Sequence, residues 1–236
     1  EIRLSLVGSE MCIRDRCRGL GMIGGCPDCG KSRENQTQNI PEQLPDEVCE
    51  SVCIPDYFKG IRWDKQIFLN SHKDEYAVSS LERYAEILTR MHNIFSSGNI
   101  PNKSCLITAH GGMGKLTWAY SCMQEALKHG HTVMPILDNT QYKRLNIISS
   151  DRISSRFLKQ YSFTIDEYNN ADVVFLTIDP DNFQGSFRTV ESLVSKRSRL
   201  GKQTFIISRF SSAQMSILDY DHSFESTLTV HPGRDK

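Results

Sequence analysis

The glycine-rich turn Gly111-Gly112-Met113-Gly114-Lys115 constrains this chain more than any other stretch, because of what flanks it. Before it comes a short apolar run at 105–108; after it, residues 117–127 place their apolar positions at helical spacing, with Gly130 as a stop. A strand that passes through glycines straight into a helix aims consecutive backbone N–H groups outward at the positive helix end, and a lysine there reaches the far end of a bound polyphosphate. His110, Gly111, Gly112, Met113, Gly114, Lys115, Leu116 and Thr117 are therefore read as a phosphate-binding loop, with a plain helix start as the alternative. The usual pattern, G-x-x-x-x-G-K-[ST], is matched only in part. Ala109 stands at the first glycine, and Leu116 lacks the hydroxyl that holds magnesium. Thr117 comes one step late and points about 100° further round the helix.

Downstream, strand and helix patterns alternate. Residues 132–137 read as a strand, 173–179 as a buried strand, 189–199 as a helix, 204–208 as a strand and 227–230 as a weaker last strand. Such alternation predicts an α/β fold, a doubly wound parallel sheet with helices on both faces. The buried strand ends in Asp179, placed to hold magnesium through water; a turn residue closing a strand is the alternative. Loop lysine and acidic residue must face one phosphate, so the strand ends at Thr108 and Asp179 are expected to be neighbours.

The segment TAHGGMGKLTWAYSCMQEALKHGHTV resembles the loop and first helix of the DnaC/DnaI/IstB group of AAA+ ATPases, the replicative helicase loaders and transposition helpers. In the right order after it, VESLVSKRSRLGKQTFIISRFSSAQM resembles the stretch beyond that family's second acidic motif, where a helix ends in a basic segment and leads into the sensor strand. The resemblance spans roughly residues 100–230. It implies a P-loop NTPase core of AAA+ type, ATP and Mg2+ as cofactors, Lys115 as the phosphate lysine and Asp179 as the catalytic, magnesium-side aspartate. It also implies a replicative helicase and single-stranded DNA as partners, and a homo-oligomer is compatible with it.

Departures from the family pattern separate binding from turnover. Pro180 stands where hydrolysing members carry the glutamate that orients water, and Ser208 and Arg209 stand where a small polar residue and an asparagine are expected. The stretch HSFESTLTVHPGR has no arginine where the finger that completes a neighbour's site would fall, and Arg234 comes late. Losing a general base costs about 10² to 10⁴ in rate, and losing an arginine finger about 10³ to 10⁵. The expectation is a loop that binds ATP with weak or absent hydrolysis. An interaction module without hydrolysis and an IstB-like transposition helper are the alternatives.

The N-terminal part reads differently. Residues 1–16 resemble a translated sequencing adapter, whose bases CTC GTG GGC TCG GAG ATG TGT ATA AGA GAC give Leu6 through Asp15, so the natural chain is expected to continue upstream of Cys17. Residues 17–43 carry Cys17, Cys26 and Cys29 in the manner of a truncated zinc-knuckle module, in which C-x-x-C thiolates grip one Zn2+. The partner of Cys17 would fall at Arg14. Cys49 or Cys53 is an alternative fourth ligand, although their spacing also suits one face of a helix, and buried thiols are the alternative to a metal site. Residues 44–99 read as linker and helix, and 100–236 as the AAA+-like core.

Composition then narrows the setting. The 28 basic and 28 acidic residues balance, so the chain is no bulk polyanion binder, and contact with nucleic acid would need a local patch. Lys196, Arg197, Arg199 and Lys202 are the candidate for weak, salt-sensitive contact with single-stranded DNA, with a solvated helix end as the alternative. Mean hydropathy is −0.41, and no apolar run is long enough to span a bilayer. Unevenly spread cysteines suit a reducing cytoplasm, and the whole suggests a phage-type or mobile-element protein.

Overall fold

Apolar strands buried on both sides must send alternate residues into two separate cores, and the sheet here does so. It is seen in a computed structural model that describes residues 42–72, 78–109, 111–150, 163–178, 187–209 and 228–230. The chain divides into two compact units at 42 and 43, and the described residues, Glu42 apart, belong to the second. The stretch 44–99 thus packs within the same unit as the sheet.

Among the described residues five strands form one sheet: β1 (Cys105–Thr108), β2 (Leu137–Asp138), β3 (Val173–Ile178), β4 (Gln203–Ser208) and β5 (Leu228–Val230). Their order is β2-β3-β4-β1-β5, and each pairing is parallel. In register, Thr108 and Ile178 both pair with Ser208. The end of β1 and the end of β3 are therefore level but not adjacent, because β4 lies between them. The expectation that the strand ends at Thr108 and Asp179 would be neighbours is corrected by one strand's width, and Asp179 itself lies outside the described residues.

Cys105, Ile107, Val173, Phe175, Phe205 and Ile207 enter one core. There Phe175 stacks on Phe205 with centroids 5.0 Å apart, and Trp118 meets Phe175 edge-on. The helices on this side are α3 (Val78–Ser96) and α4 (Lys115–Lys128), which follow α1 (Asp46–Ser51) and α2 (Lys65–His72) in the chain. The buried stripe of α3, Leu81, Tyr84, Leu88, Met91 and Phe95, recurs at steps of three and four. Leu106, Val174, Leu176, Ile178 and Ile206 face the opposite core, with α5 (Asn139–Ser150), α6 (Ile165–Asn170) and α7 (Phe187–Arg199).

The stretch before α3 is fastened to α4 by polar side chains. Gln124 on α4 accepts from the Gly60 amide (2.7 Å) and donates to the Phe58 carbonyl (3.0 Å). The Ser121 hydroxyl accepts from the Trp63 amide (2.8 Å). Hydrogen bonds of this kind satisfy irregular backbone that is buried away from water. Trp118 in turn donates its indole N–H to the Leu88 carbonyl of α3 (2.8 Å).

Candidate functional site

The loop from β1 to α4 owes its shape to two glycines. Gly112 and Gly114 have φ of 83° and 60°, in the left-handed region that L side chains resist. A Cβ on Gly112 would project into open space, whereas one on Gly114 would come 3.4 Å from Phe68 and 3.5 Å from Trp63. Gly114 therefore brings the loop down onto an aromatic floor supplied by α2 and the residues before it. His72, the last residue of α2, places its Nε2 3.1 Å from the Gly112 carbonyl. In the sequence Trp63 stands as an apolar anchor of the stretch 41–67, but neither it nor Phe68 or His72 is tied to the loop there, because they meet it only through the tertiary fold.

The amides of Gly112 and Met113 make no hydrogen bond to a described residue. They sit at the start of α4, where the helix dipole favours negative charge. Lys115 is 7% exposed, and its Nζ donates to the Ala109 carbonyl at 2.7 Å. Burial first, and the positive charge of Arg209 second, push its ammonium down to about 8.

These groups line a cleft of about 440 Å³ that is completed by Thr177 and Ile178 of β3 and by Ile207, Ser208 and Arg209 at the end of β4. That volume is within the range of small-molecule sites. Gly111, Gly112, Met113, Gly114, Lys115, Leu116 and Thr117 line this cleft together, on the carboxyl edge of the sheet, where α/β folds place their ligands. His110 and Asp179 lie outside the described residues, as do Pro180, Arg234, and Cys17, Cys26 and Cys29. Leu116 is 40% exposed on the cleft.

The cysteines that are described do not gather. Cys49 is buried and Cys53 exposed. The amide of Ile54 returns to the Cys49 carbonyl (2.9 Å) and that of Cys53 to Glu50 (3.0 Å), a helix-ending motif that leaves Cys53 at φ 55°. Among the described residues no group of three or more His, Cys, Asp or Glu could hold a metal.

The basic segment needs a correction. Arg197 was read with Lys196, Arg199 and Lys202 as a contact for DNA, but its guanidinium is fully buried. It donates to the carbonyls of Asn169 (2.9 Å), Ala171 (2.9 Å) and Gln203 (2.6 Å) and to the Thr204 hydroxyl (3.1 Å). Burial pulls it down to about 10, so it stays charged at neutral pH. A side chain so engaged inside the fold is out of reach of a phosphate backbone. Lys202 is drawn to Asp172 (3.4 Å) and the Asn170 carbonyl. Lys196 and Arg199 remain exposed, with Lys196 3.7 Å from Asp166.

No family model and no curated protein sequence matches the chain. Solved structures do match. A candidate primosome component from Streptococcus pyogenes serotype M3 is 15% identical, with a TM-score of 0.50, over 82% of this chain and 100% of its own. A DnaC helicase loader is 14% identical at a TM-score of 0.48, over 76% of this chain and 100% of its own. AMPPCP-bound DnaA from Aquifex aeolicus is 15% identical at 0.48, over 69% of this chain and 49% of that one. The chain spans about half the length of that DnaA structure. At such identities the likeness is one of fold alone, an α/β fold with a parallel sheet.

Proposed function

We propose that this chain is an ATP-binding protein of the helicase-loader type, acting in DNA replication in the cytoplasm to deliver a replicative helicase to single-stranded DNA, with weak or absent hydrolysis. The observation that carries the nucleotide part is the convergence, on one cleft, of the glycine loop, the start of α4 and the buried Lys115. The amides of Gly112 and Met113 and the ammonium of Lys115 would hold the phosphates. ATP bound there supplies a charged, space-filling group that fixes the loop, and Lys115 would leave the Ala109 carbonyl to meet it. The loader part is supported by the sequence resemblance and by the fold shared with a protein described as a candidate primosome component. Weak turnover is supported by Pro180, which has no carboxylate to orient water. Contact with DNA would fall to Lys196 and Arg199, the two exposed members of the basic segment.

Titration of the full chain with ATP tests this reading. Lys115→Ala should weaken binding roughly a hundredfold, since charge-assisted contacts to phosphate are the strong ones. The same variant should lose ATP-dependent co-purification of the host's replicative helicase. Absence of ATP binding by the unaltered chain would remove the proposal, and rapid hydrolysis would remove its account of Pro180.

A further inference from the structure

The position one residue beyond β4 is where the strand order matters most. β4 lies between the loop strand and β3, and the Ala109 amide donates to the Ser208 carbonyl at 3.3 Å. Arg209 therefore leaves the sheet between the root of the loop and the end of β3, and lines the cleft together with Lys115.

Magnesium fits the described part of this cleft poorly. The ion demands near-octahedral oxygen ligands and gives up its waters reluctantly. Leu116, at the position where the usual loop pattern carries a hydroxyl, presents a hydrocarbon chain to the cleft, and none of the described residues lining the cleft carries a carboxylate. Thr177, across the cleft, turns its hydroxyl to the Leu137 carbonyl (3.4 Å).

We infer that Arg209 is a phosphate ligand of this cleft, supplying the positive charge that a metal ion would otherwise bring, so that the site takes a nucleoside triphosphate without magnesium. The inference rests on the ATP-binding reading above. A guanidinium suits the task, because its planar fork donates two parallel hydrogen bonds to phosphate oxygens and keeps its charge at any working pH. The influence of Arg209 on the Lys115 ammonium agrees with this placement: two cations that repel each other at rest are both relieved by a polyanion lying between them.

Equilibrium ATP titrations of the full chain, in EDTA and in excess magnesium, test it. The wild-type chain should bind ATP equally well in both. Arg209→Ala should weaken binding in EDTA roughly ten- to hundredfold with an unchanged thermal unfolding curve, and Arg209→Lys should recover part of the loss. Leu116→Thr, which returns the missing hydroxyl, should make binding tighter in magnesium than in EDTA. Wild-type binding that collapses in EDTA, or Arg209→Ala binding as well as wild type there, overturns the inference and leaves the ATP-binding reading standing. A wild-type chain that binds no ATP in either buffer overturns both.

Discussion

Lys115 is buried, and under the proposed function it would also meet an anion. Its ammonium, pushed down to about 8 from the ordinary lysine value of 10.5, titrates inside the accessible range. The folded group holds its proton less tightly than the unfolded one. Burying the charge therefore costs stability in full below pH 8, and the cost is relieved as pH rises from 8 to 10.5, where the unfolded chain binds more protons. Binding of a phosphate runs the other way, because the anion favours the charged form. ATP affinity should hold steady up to about pH 8 and then fall by up to about tenfold per pH unit. Titrations at a series of pH values check this, with Lys115→Ala expected to give a weak and flat profile; a flat profile for the wild type would show that the lysine takes no part. The lysine was legible from its neighbours in the chain. Arg209, which helps set its proton affinity, was legible only as a departure from a pattern, since what brings the two together is the insertion of β4 beside the loop strand.

At the scale of elements, Arg197 shows how one side chain can assemble several. From α7 it reaches the last turn of α6, the bend before β3 and the first residues of β4. Arg197→Met would keep the bulk and leave those carbonyls buried without donors. The expected loss is about 3 kcal/mol or more, read as a lowered denaturant midpoint with unchanged slope; Arg199→Met should leave the midpoint alone. A run of basic residues on a helix end says nothing by itself about which member turns inward, and so the sequence reading grouped all four. Other elements were spelled out but went unread. Thr164 and Glu167 form a reciprocal capping box on α6, and Asp138 and Gln141 exchange the equivalent bonds on α5, both short patterns preceding weakly periodic segments. β2 is shorter than the run 132–137 suggested. Val133 makes an isolated bridge to Val173, and Pro135, with no N–H to donate, separates it from the ladder at Leu137.

For the molecule as a whole, the stretch ahead of the loop behaves as part of the loop's foundation. Phe58, Trp63 and Phe68 are buried in the same core as Trp118 and the inner sheet residues. Fully burying an aromatic or large aliphatic side chain is worth about 1.5–3 kcal/mol, so losing three approaches the net stability of an ordinary domain, about 5–15 kcal/mol. A chain begun at residue 78 should therefore unfold without cooperativity or fail to stay in solution, whereas one begun at residue 43 should melt as the full chain does. Circular dichroism melts of the two decide it, and a cooperative melt of the shorter chain would show the aromatic floor to be dispensable. Sequence reading drew lines near residues 44 and 100, because the proline-punctuated stretch 41–67 looks like a connector; its apolar anchors, Ile54, Tyr57, Phe58, Ile61 and Trp63, are residues that need a core, and the sequence is silent about which core they join.

The strand order also has a temporal side. β1 is flanked by β4 and β5, both encoded far behind it: Ser104 and Thr204, joined by a hydrogen bond, stand 100 residues apart in the chain. On a ribosome, the strand that carries the glycine loop emerges before β4 and β5 and waits with both edges bare until they have been made. Closing so long a loop is slow, and unpaired edges invite wrong partners in the interval. Assembly of the cleft thus waits for β4 and β5, and an interrupted translation product would carry a complete glycine loop with no sheet to hold it.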